Sequence, residues 1–433
     1  MKDYTFGTKL YLMRKSEQLS QKELAGMLGV TNKAISKWEN GDAMPSLNQL
    51  VAISKIFNIS IDEMLKGDEQ NEKQIFKIAI TGGPCSGKST GMKRIKEEFS
   101  KLGYYVLVVP ETATELILGG IAPWTLGDYE KFQYLIMKLQ LEKEAIFLSG
   151  AKDILNYDKV LIVCDRGVMD SRAYMTKREF ENCMRKLETN EVKLRDNYDA
   201  VFHLVTAAIG AEKYYGYNNE ARYETAEEAI ENDRKVMSAW TGHPHLRVID
   251  NSTDFNKKID RLIEEISSFL SQPYEIERKF LIEYPPIKQL EKMPNCKKVE
   301  IIQTYLKSDG ESEVRIRQRG ENGAFSYTKT TKKRISDIKR LETEIKITKD
   351  EYLKLLLDAD TSKKQIRKTR YCLVYKNQYF EIDVFPNWKD KAIMEIELKD
   401  ENQEVDYPKN IKIIKEVTGD LSYTNAALAS KDI

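Results

Sequence analysis

EIERKFLI, residues 275–282, reads as a β-strand with two chemically different faces. Side chains at i, i+2 and i+4 of a strand point the same way. Glu275, Glu277 and Lys279 therefore share one face, while Ile276 and Phe280 share the other. Two carboxylates can hold a divalent ion and an ammonium can touch phosphate. A single charged strand face is ordinarily no more than a solvated one. Here the pattern recurs on strand after strand down to residue 399, so a dedicated polyphosphate site is expected.

Working outward, residues 274–433 contain eight candidate strands: EIERKFLI, VEIIQTYL, EVRIRQR, AFSYTKTT, RLETEIKI, QIRKTRYCLVY, QYFEIDVF and IMEIELK. Polar turns such as SDGES and GENGA, or the short helix DEYLKLLLDA, separate them. Strands at this spacing predict an eight-stranded antiparallel sheet closed into a barrel. Arg315 and Arg317 are two apart, as are Lys368 and Arg370, Glu381 and Asp383, and Glu395, Glu397 and Lys399. Glu342 and Glu344 share a face with Arg340 and Lys346. The opposite faces carry Ile316, Leu341, Ile345, Ile382, Val384, Ile396 and Leu398. With the apolar faces outward under helices, the charged faces line a tunnel in which cations meet phosphate oxygens and acids meet bridging metal ions. The competing reading is an open antiparallel sheet with one solvated, charged face.

This segment resembles the CYTH superfamily, the triphosphate tunnel metalloenzymes, over its full length. The resemblance rests on Glu275-x-Glu277-x-Lys279, RIR (315–317), the strand around Lys329, ETE (342–344), KTR (368–370), EID (381–383), EIE (395–397) and the closing VTGDLSYTNAALA. It implies an eight-stranded tunnel that binds a linear triphosphate. Most members hydrolyse it with Mg²⁺ or Mn²⁺; some cyclise ATP or act on thiamine triphosphate. Carried over, Lys279, Arg315, Arg317, Lys329, Lys368 and Arg370 grip phosphates, and Glu275, Glu277, Asp383, Glu395 and Glu397 hold metal. A metal-activated water would attack the terminal phosphorus while the cations stabilise developing charge. Triphosphatase and adenylyl cyclase share every one of these residues.

Upstream, residues 75–270 open with the apolar strand IFKIAIT, which runs into GGPCSGKST (82–90) and then a helix. Gly82, Gly87, Lys88 and Ser89 fit G-x-x-x-x-G-K-[ST] in its strand–loop–helix context, the phosphate-binding P-loop. Glycines let backbone N–H groups wrap phosphate oxygens, and the helix N-terminus adds partial positive charge. Lys88 would reach the β- and γ-phosphates of ATP and Ser89 would hold Mg²⁺, with Thr90 beside it in the cofactor-binding set. YYVLVVPE ends at Glu111 and KVLIVCDRG at Asp165 and Arg166. Ligands of open α/β sheets bind at the carboxyl ends of strands. Asp165 thus suits a Mg²⁺-water position, and Glu111 a carboxylate facing a phosphoryl acceptor, as general base or as a merely solvated group. NNEARYETAEEA is polar and helix-like, with Arg222 and later Arg234, and reads either as a lid of the kind that supplies arginines to a transferring phosphoryl group or as a solvated helix with ordinary ion pairs. Cys85 lies within the loop, and His203, in VFHLV, reads as a core residue.

On GGPCSGKST, VPETATELI, VCDRGVMDSRAY and VIDNSTDFNKKIDRL, this α/β segment is similar to P-loop kinase-type ATPases related to the ribosylnicotinamide kinase domain of bacterial NAD regulators. The similarity places IDNST (249–253) near the adenine. It leaves the acceptor open, and transfer to water as well.

Residues 1–68 show five short helices. LSQKELAGMLGV offers a capping box at Ser20 and Glu23, and Gly29 makes a turn to TNKAISKWENG, capped by Thr31. Two helices joined this way form a helix-turn-helix. The string SQKELAGMLGVTNKAISKWENG, Pro45 and ISIDEML resemble the Cro/C1-type repressor family. The resemblance implies that Asn32, Lys33, Ser36 and Lys37 read base edges, that Gln21 lies near a phosphate, and that a homodimer reads two half-sites.

Bulk numbers agree with a multidomain chain. At 433 residues it exceeds one core. A net charge of +1 argues against a global field for nucleic acid or membrane, so any DNA contact is local. The five cysteines show no C-x-x-C spacing, and no run approaches about 20 apolar residues, so a cytoplasmic location away from membranes is expected. Two functional readings follow: a DNA-binding enzyme with kinase or ATPase and triphosphatase domains, and a nucleotide-responsive regulator whose two domains sense.

Overall fold

The computed structural model describes residues 6–7, 10–11, 13–14, 17, 19–57, 59, 61, 73–215, 225–271, 276–308, 312–334, 340–398 and 403–430. Arg222, Glu275 and Lys399 lie outside the described residues. One unit comprises residues 1–74 and 156–159, the other residues 75–155 and 160–433.

In the first unit the capping signals act as read. Ser20 Oγ accepts from Glu23 N and Glu23 answers at Ser20 N, starting helix α1 (Gln21–Leu28). Gly29 follows at φ 64°, a left-handed turn that glycine adopts without strain. Thr31 caps α2 (Asn32–Glu39), and α3 spans Leu47–Phe57. Leu24, Ala25, Ile35, Trp38, Leu50 and Ile53 close the core with Phe6 and Leu10. The first and fifth helices of the sequence reading fall partly on residues outside the described set.

The second unit holds two sheets. Strands β1 (Gln74–Thr81), β2 (Tyr105–Val109), β3 (Lys159–Asp165), β4 (Ala200–Leu204) and β5 (Leu246–Ile249) form a sheet of order β2-β3-β1-β4-β5. The β1·β4, β2·β3 and β4·β5 pairs are parallel. Helices α4 (Lys88–Lys101), α5 (Tyr129–Asp153), α6 (Ala226–Trp240) and α7 (Phe255–Ser271) belong to the same α/β layer. Ile78, Ile80, Leu161, Val163, Phe202 and Leu204 pack with Ile95, Phe99, Ile259 and Leu262 of α4 and α7, while Ala79, Ile162 and Val201 pack with Met137, Val236 and Trp240 of α5 and α6. Both faces are covered, which is why these strands read as continuous apolar runs rather than alternating ones.

The second sheet contains all eight expected strands: β6 (Ile276–Glu283), β7 (Cys296–Tyr305), β8 (Ser312–Glu321), β9 (Ala324–Arg334), β10 (Arg340–Ile347), β11 (Ile366–Tyr375), β12 (Gln378–Val384) and β13 (Lys391–Leu398). A ninth, β14 (Ile413–Glu416), adds to the free side of β6, where Arg278 pairs with Glu416 at 2.6 Å. The order is β10-β9-β8-β7-β11-β12-β13-β6-β14, and every pair is antiparallel. Phe280, Ile282, Tyr371, Leu373, Phe380, Ile382, Met394 and Ile396 build an apolar core on one face. The charged residues occupy the other.

Register corrects one assignment. Residues directly opposite each other share a face. Arg315, Arg317 and Arg319 face Thr330, Thr328 and Ser326, whereas Lys329 stands opposite Ile316 and Ile345. Lys329 thus lies on the apolar side, with Ile316 of a cluster that includes Leu306 and Tyr352, and not among the phosphate-facing cations. A one-residue offset moves a whole strand's chemistry to the other face.

The tunnel sheet docks on the amino-terminal edge of the parallel sheet, opposite the P-loop. Just before β4, Asp196 accepts from Arg319 (3.2 Å) and Ser326 (2.8 Å), and Asp199 accepts from Lys346 (2.8 Å). Arg195 pairs with Glu321, Lys297 with Glu191 at 2.8 Å, and the Tyr379 hydroxyl donates to His243 O at 2.9 Å. These tunnel-face residues all sit toward one end of their strands. At the other end Tyr305, Ile366 and Ile393 form an apolar collar against Leu428 and Ala429 of helix α8 (Asn425–Ala429).

Candidate active sites

The tunnel face concentrates opposite charges at short range. Arg370 donates to both oxygens of Asp383 at 2.6 Å, to Glu395 at 3.0 Å and to Glu381. Lys368 donates to Asp383 from the same strand. Lys279 lies 2.9 Å from Glu395 and 3.4 Å from Glu277. Burial works against charge on Asp383, but Arg370 and Lys368 hold its carboxyl far below the usual range. Glu381 shows the reverse: burial, then Asp383, Glu395 and Glu397, push it up against the pull of Arg370.

On the same face one row is left over. Gln303, Arg317 and Thr328 are register neighbours on β7, β8 and β9. Gln303 Oε1, Arg317 Nε and Thr328 Oγ1 are buried and have no hydrogen-bond partner among the described residues. Arg317 reaches Glu344 only at 3.8 Å, and Glu344 is itself engaged by Thr330 at 2.8 Å. Burial, then the nearby charges of Arg315 and Arg370, destabilise the Arg317 guanidinium. Crowded cations beside unspent donors form a site suited to a polyanion.

The metal assignments divide. Asp383, 1% exposed, spends its oxygens on Lys368 and Arg370. Glu277 and Glu397 face each other across β6 and β13 with side chains 43% and 34% exposed. Among the described residues no three acids are already gathered as a metal cage. The donor set fits a hard divalent cation nonetheless, since it is all carboxylate oxygen. Glu344 and Glu381 read as tunnel-lining acids without a role of their own, while Gln303, Thr328 and Arg319 were not assigned to the site from the sequence. Arg319 continues the Arg315-x-Arg317 alternation, which was signal enough; Gln303 and Thr328 needed the register.

The P-loop site forms where β1 and β3 lie side by side. Gly82, at φ 134°, passes so close to β4 that a Cβ would meet Leu204 O at 2.0 Å. Asp233 of α6 ties the loop down, accepting from Gly83 N (2.8 Å) and Thr206 N (3.1 Å) while its other oxygen meets His203 Nε2 at 3.2 Å. His203 is thus a buried core residue, as read, but it is bonded through Nε2 alone, and Nδ1 has no partner among the described residues. Lys88 donates to Gly82 O (3.0 Å) and Gly83 O (3.1 Å). Burial and the Arg166 charge bring its pKa down to about 8. Ser89 and Thr90 are exposed in the first turn of α4, with Gly87 as its N-cap.

Asp165 ends β3 with Oδ1 buried and without a hydrogen-bond partner among the described residues. Burial and the Glu111 charge raise its pKa. An orphaned carboxylate oxygen beside the phosphate loop fits a cation. Arg166, which the sequence reading left without a role, donates to Glu111 (2.5 Å), Asp170 (3.0 Å) and Gly82 O (3.3 Å). Burial opposes ionisation of Glu111, but Arg166 outweighs it and the carboxyl stays below its ordinary range.

In the first unit Asn32, Lys33 and Lys37 are exposed on α2 and Ser36 is half-buried. Gln21 donates to Glu39 Oε2 at 2.6 Å, the acid that also pairs with Arg14.

Comparisons with known proteins agree with this division. Residues 10–64 match the helix-turn-helix family model, residues 77–258 the AAA domain model and residues 273–419 the CYTH domain model. The HTH-type transcriptional activator BcrR of Enterococcus faecalis is 45% identical over 64 residues, 15% of this chain and 31% of that protein. Repressor protein C2 of Salmonella phage P22 is 38% identical over 68 residues, 16% of this chain and 32% of that protein. The chain spans between 31% and 58% of the length of such curated relatives. A solved structure of the inorganic triphosphatase NE1496 is 30% identical, covering 37% of this chain and 97% of that one, at a TM-score of 0.28. No described helix is long and apolar enough to cross a membrane.

Proposed function

We propose that this chain, a helix-turn-helix, an AAA and a CYTH domain in one polypeptide, is a DNA-binding enzyme that hydrolyses a linear triphosphate in its tunnel and binds ATP at its P-loop. The observation that carries the tunnel reading is the row Gln303–Arg317–Thr328 beside Arg315 and Arg370, in which Gln303 Oε1, Arg317 Nε and Thr328 Oγ1 are buried without a partner among the described residues. Phosphate oxygens satisfy the donors Arg317 and Thr328. Glu277, Glu395 and Glu397 would hold Mg²⁺ or Mn²⁺, which supplies an activated water at neutral pH. Asp383 holds Lys368 and Arg370 in the face, and Lys279, Arg315, Arg317 and Arg370 stabilise charge on the phosphoryl group. Phosphate release from tripolyphosphate with Mn²⁺ should fall at least about 10²-fold in Glu277→Ala and persist in Lys88→Ala. Equal loss in both variants, or cyclic AMP and pyrophosphate from ATP, would overturn hydrolysis in the tunnel.

At the P-loop, Lys88, Ser89 and Asp165 serve Mg²⁺–ATP, with Glu111, held by Arg166, placed as a base toward a phosphoryl acceptor or water.

For DNA, the exposed set on α2 supports major-groove reading. Asn32→Ala and Lys37→Ala should each relax sequence preference, whereas Gln21→Ala, on the phosphate side, is expected to weaken binding about uniformly across sequences. Titrations of operator and random duplexes at two salt concentrations separate these outcomes.

A further inference from the structure

We infer that Arg247, carried by β5 of the nucleotide-binding layer, is a resident counter-cation of the tunnel's metal carboxylates and sets how tightly the tunnel takes a divalent ion. This rests on the metal-dependent reading of the tunnel. Two acid pairs stand directly opposite each other in the sheet, Glu381 with Glu395 and Glu277 with Glu397. Like charges so placed repel unless compensated. The tunnel neutralises the first pair itself, through Arg370 and Lys279. On the second pair Lys279 stands 3.4 Å from Glu277, and the cation on Glu397 comes from outside the tunnel: Arg247 pairs with it and lies 3.8 Å from Glu265 of α7. Arg247 and Glu265 line a cavity of about 90 Å³ with Glu277, Glu381, Glu395 and Glu397. That volume has room for an ion with several waters.

A divalent ion entering at Glu277 and Glu397 meets a carboxylate already engaged by a guanidinium. The two cations compete, and each weakens the other's hold through charge repulsion at short range. Arg247 also lies on a short rod. Three residues on, β5 passes into Asp250 and Asn251, and Asn251 donates to Thr206 O (2.8 Å) and Ile209 O (2.7 Å). Thr206 in turn donates to Pro84 O within the phosphate loop. The cation that guards the tunnel's metal carboxylates is therefore fixed to the frame that holds the nucleotide site.

The test is Mn²⁺ binding to the full chain without nucleotide, followed by the electron paramagnetic resonance of free Mn²⁺ and by calorimetry. Arg247→Gln should bind Mn²⁺ about five- to tenfold more tightly than wild type, the effect of removing one unit charge beside a partly exposed divalent site. Arg247→Met, equally uncharged, should repeat the gain, and Arg247→Lys should stay near wild type. A purely structural bridge would leave the affinity unmoved, and unchanged or weaker binding in both uncharged variants overturns the inference. Glu277→Gln, run alongside, separates the failures. If it binds Mn²⁺ as wild type does, the metal site itself is misplaced and the inference about Arg247 goes with it.

Discussion

Arg370→Ala is expected to lose about 3–5 kcal/mol of folding stability, because it strips the partner from buried carboxylates. The guanidinium reaches Asp383, Glu381 and Glu395 at once, and its side chain is only 10% exposed. Removing it leaves Lys368 alone to balance Asp383, with Glu381 and Glu395 opposite each other. Triphosphate hydrolysis should fall about 10²–10³-fold as well, the usual loss when one donor to a developing negative charge is deleted. Arg370→Lys, which keeps the charge but not the fork, should recover part of the stability and little of the rate. Arg317→Met makes the contrast. Arg317 is crowded by Arg315 and Arg370 and bonds weakly to Glu344, so its loss should be about neutral for stability while hydrolysis falls to a similar degree. Urea unfolding and phosphate release on the same preparations measure both. An Arg317→Met protein as unstable as Arg370→Ala would show that Arg317 serves the fold rather than the ligand.

That contrast also marks what the sequence could and could not reveal. Within one strand the alternation of side chains is fixed by the backbone, so RIR, KTR, EID and EIE declared their inward faces directly. Between strands nothing local sets the register. AFSYTKTTKKR carries polar residues on both faces, and only pairing with β8 places Thr328 and Thr330, not Lys329, beside the arginines. VEIIQTYL hid its role differently. Its inward face is Val299, Ile301, Gln303 and Tyr305, uncharged and apolar but for one amide and one phenol, so a search for charged faces passed over it. The P-loop and the helix-turn-helix were legible because their function depends on local backbone geometry. The buttress Asp233 and the link Arg166–Glu111 were not, since their partners are 150 and 55 residues distant. The docking of the tunnel on the parallel sheet was equally hidden: Lys346 reads only as an inward charge, Arg319 extends the same alternation, and nothing in their neighbourhoods names Asp196 or Asp199.

Asp196 makes that docking testable. Its carboxylate accepts from Arg195 (2.8 Å), Arg319 (3.2 Å) and Ser326 (2.8 Å), and Arg195 is fully buried with one guanidinium nitrogen unbonded. Asp196→Asn is expected to cost about 3–5 kcal/mol, since two buried arginines then lose their shared counter-charge. The pH dependence has a definite sign. Burial alone would raise this carboxyl, but Arg195 and then Arg319 hold it well below the usual carboxylate range. A group whose folded pKa lies below its unfolded value stabilises the fold fully above the unfolded value, about 3.9, and loses that contribution as pH falls toward the folded one. The stability gap between wild type and Asp196→Asn should therefore be constant from pH 7 to about 5 and narrow below about 4. Urea midpoints at pH 7, 5, 4 and 3 measure it. A gap that stays constant into acid would mean that the asparagine loses packing rather than charge. The clamp would then be steric, and Arg319 would be held at the tunnel's end by Gly242 O and its neighbours rather than by Asp196.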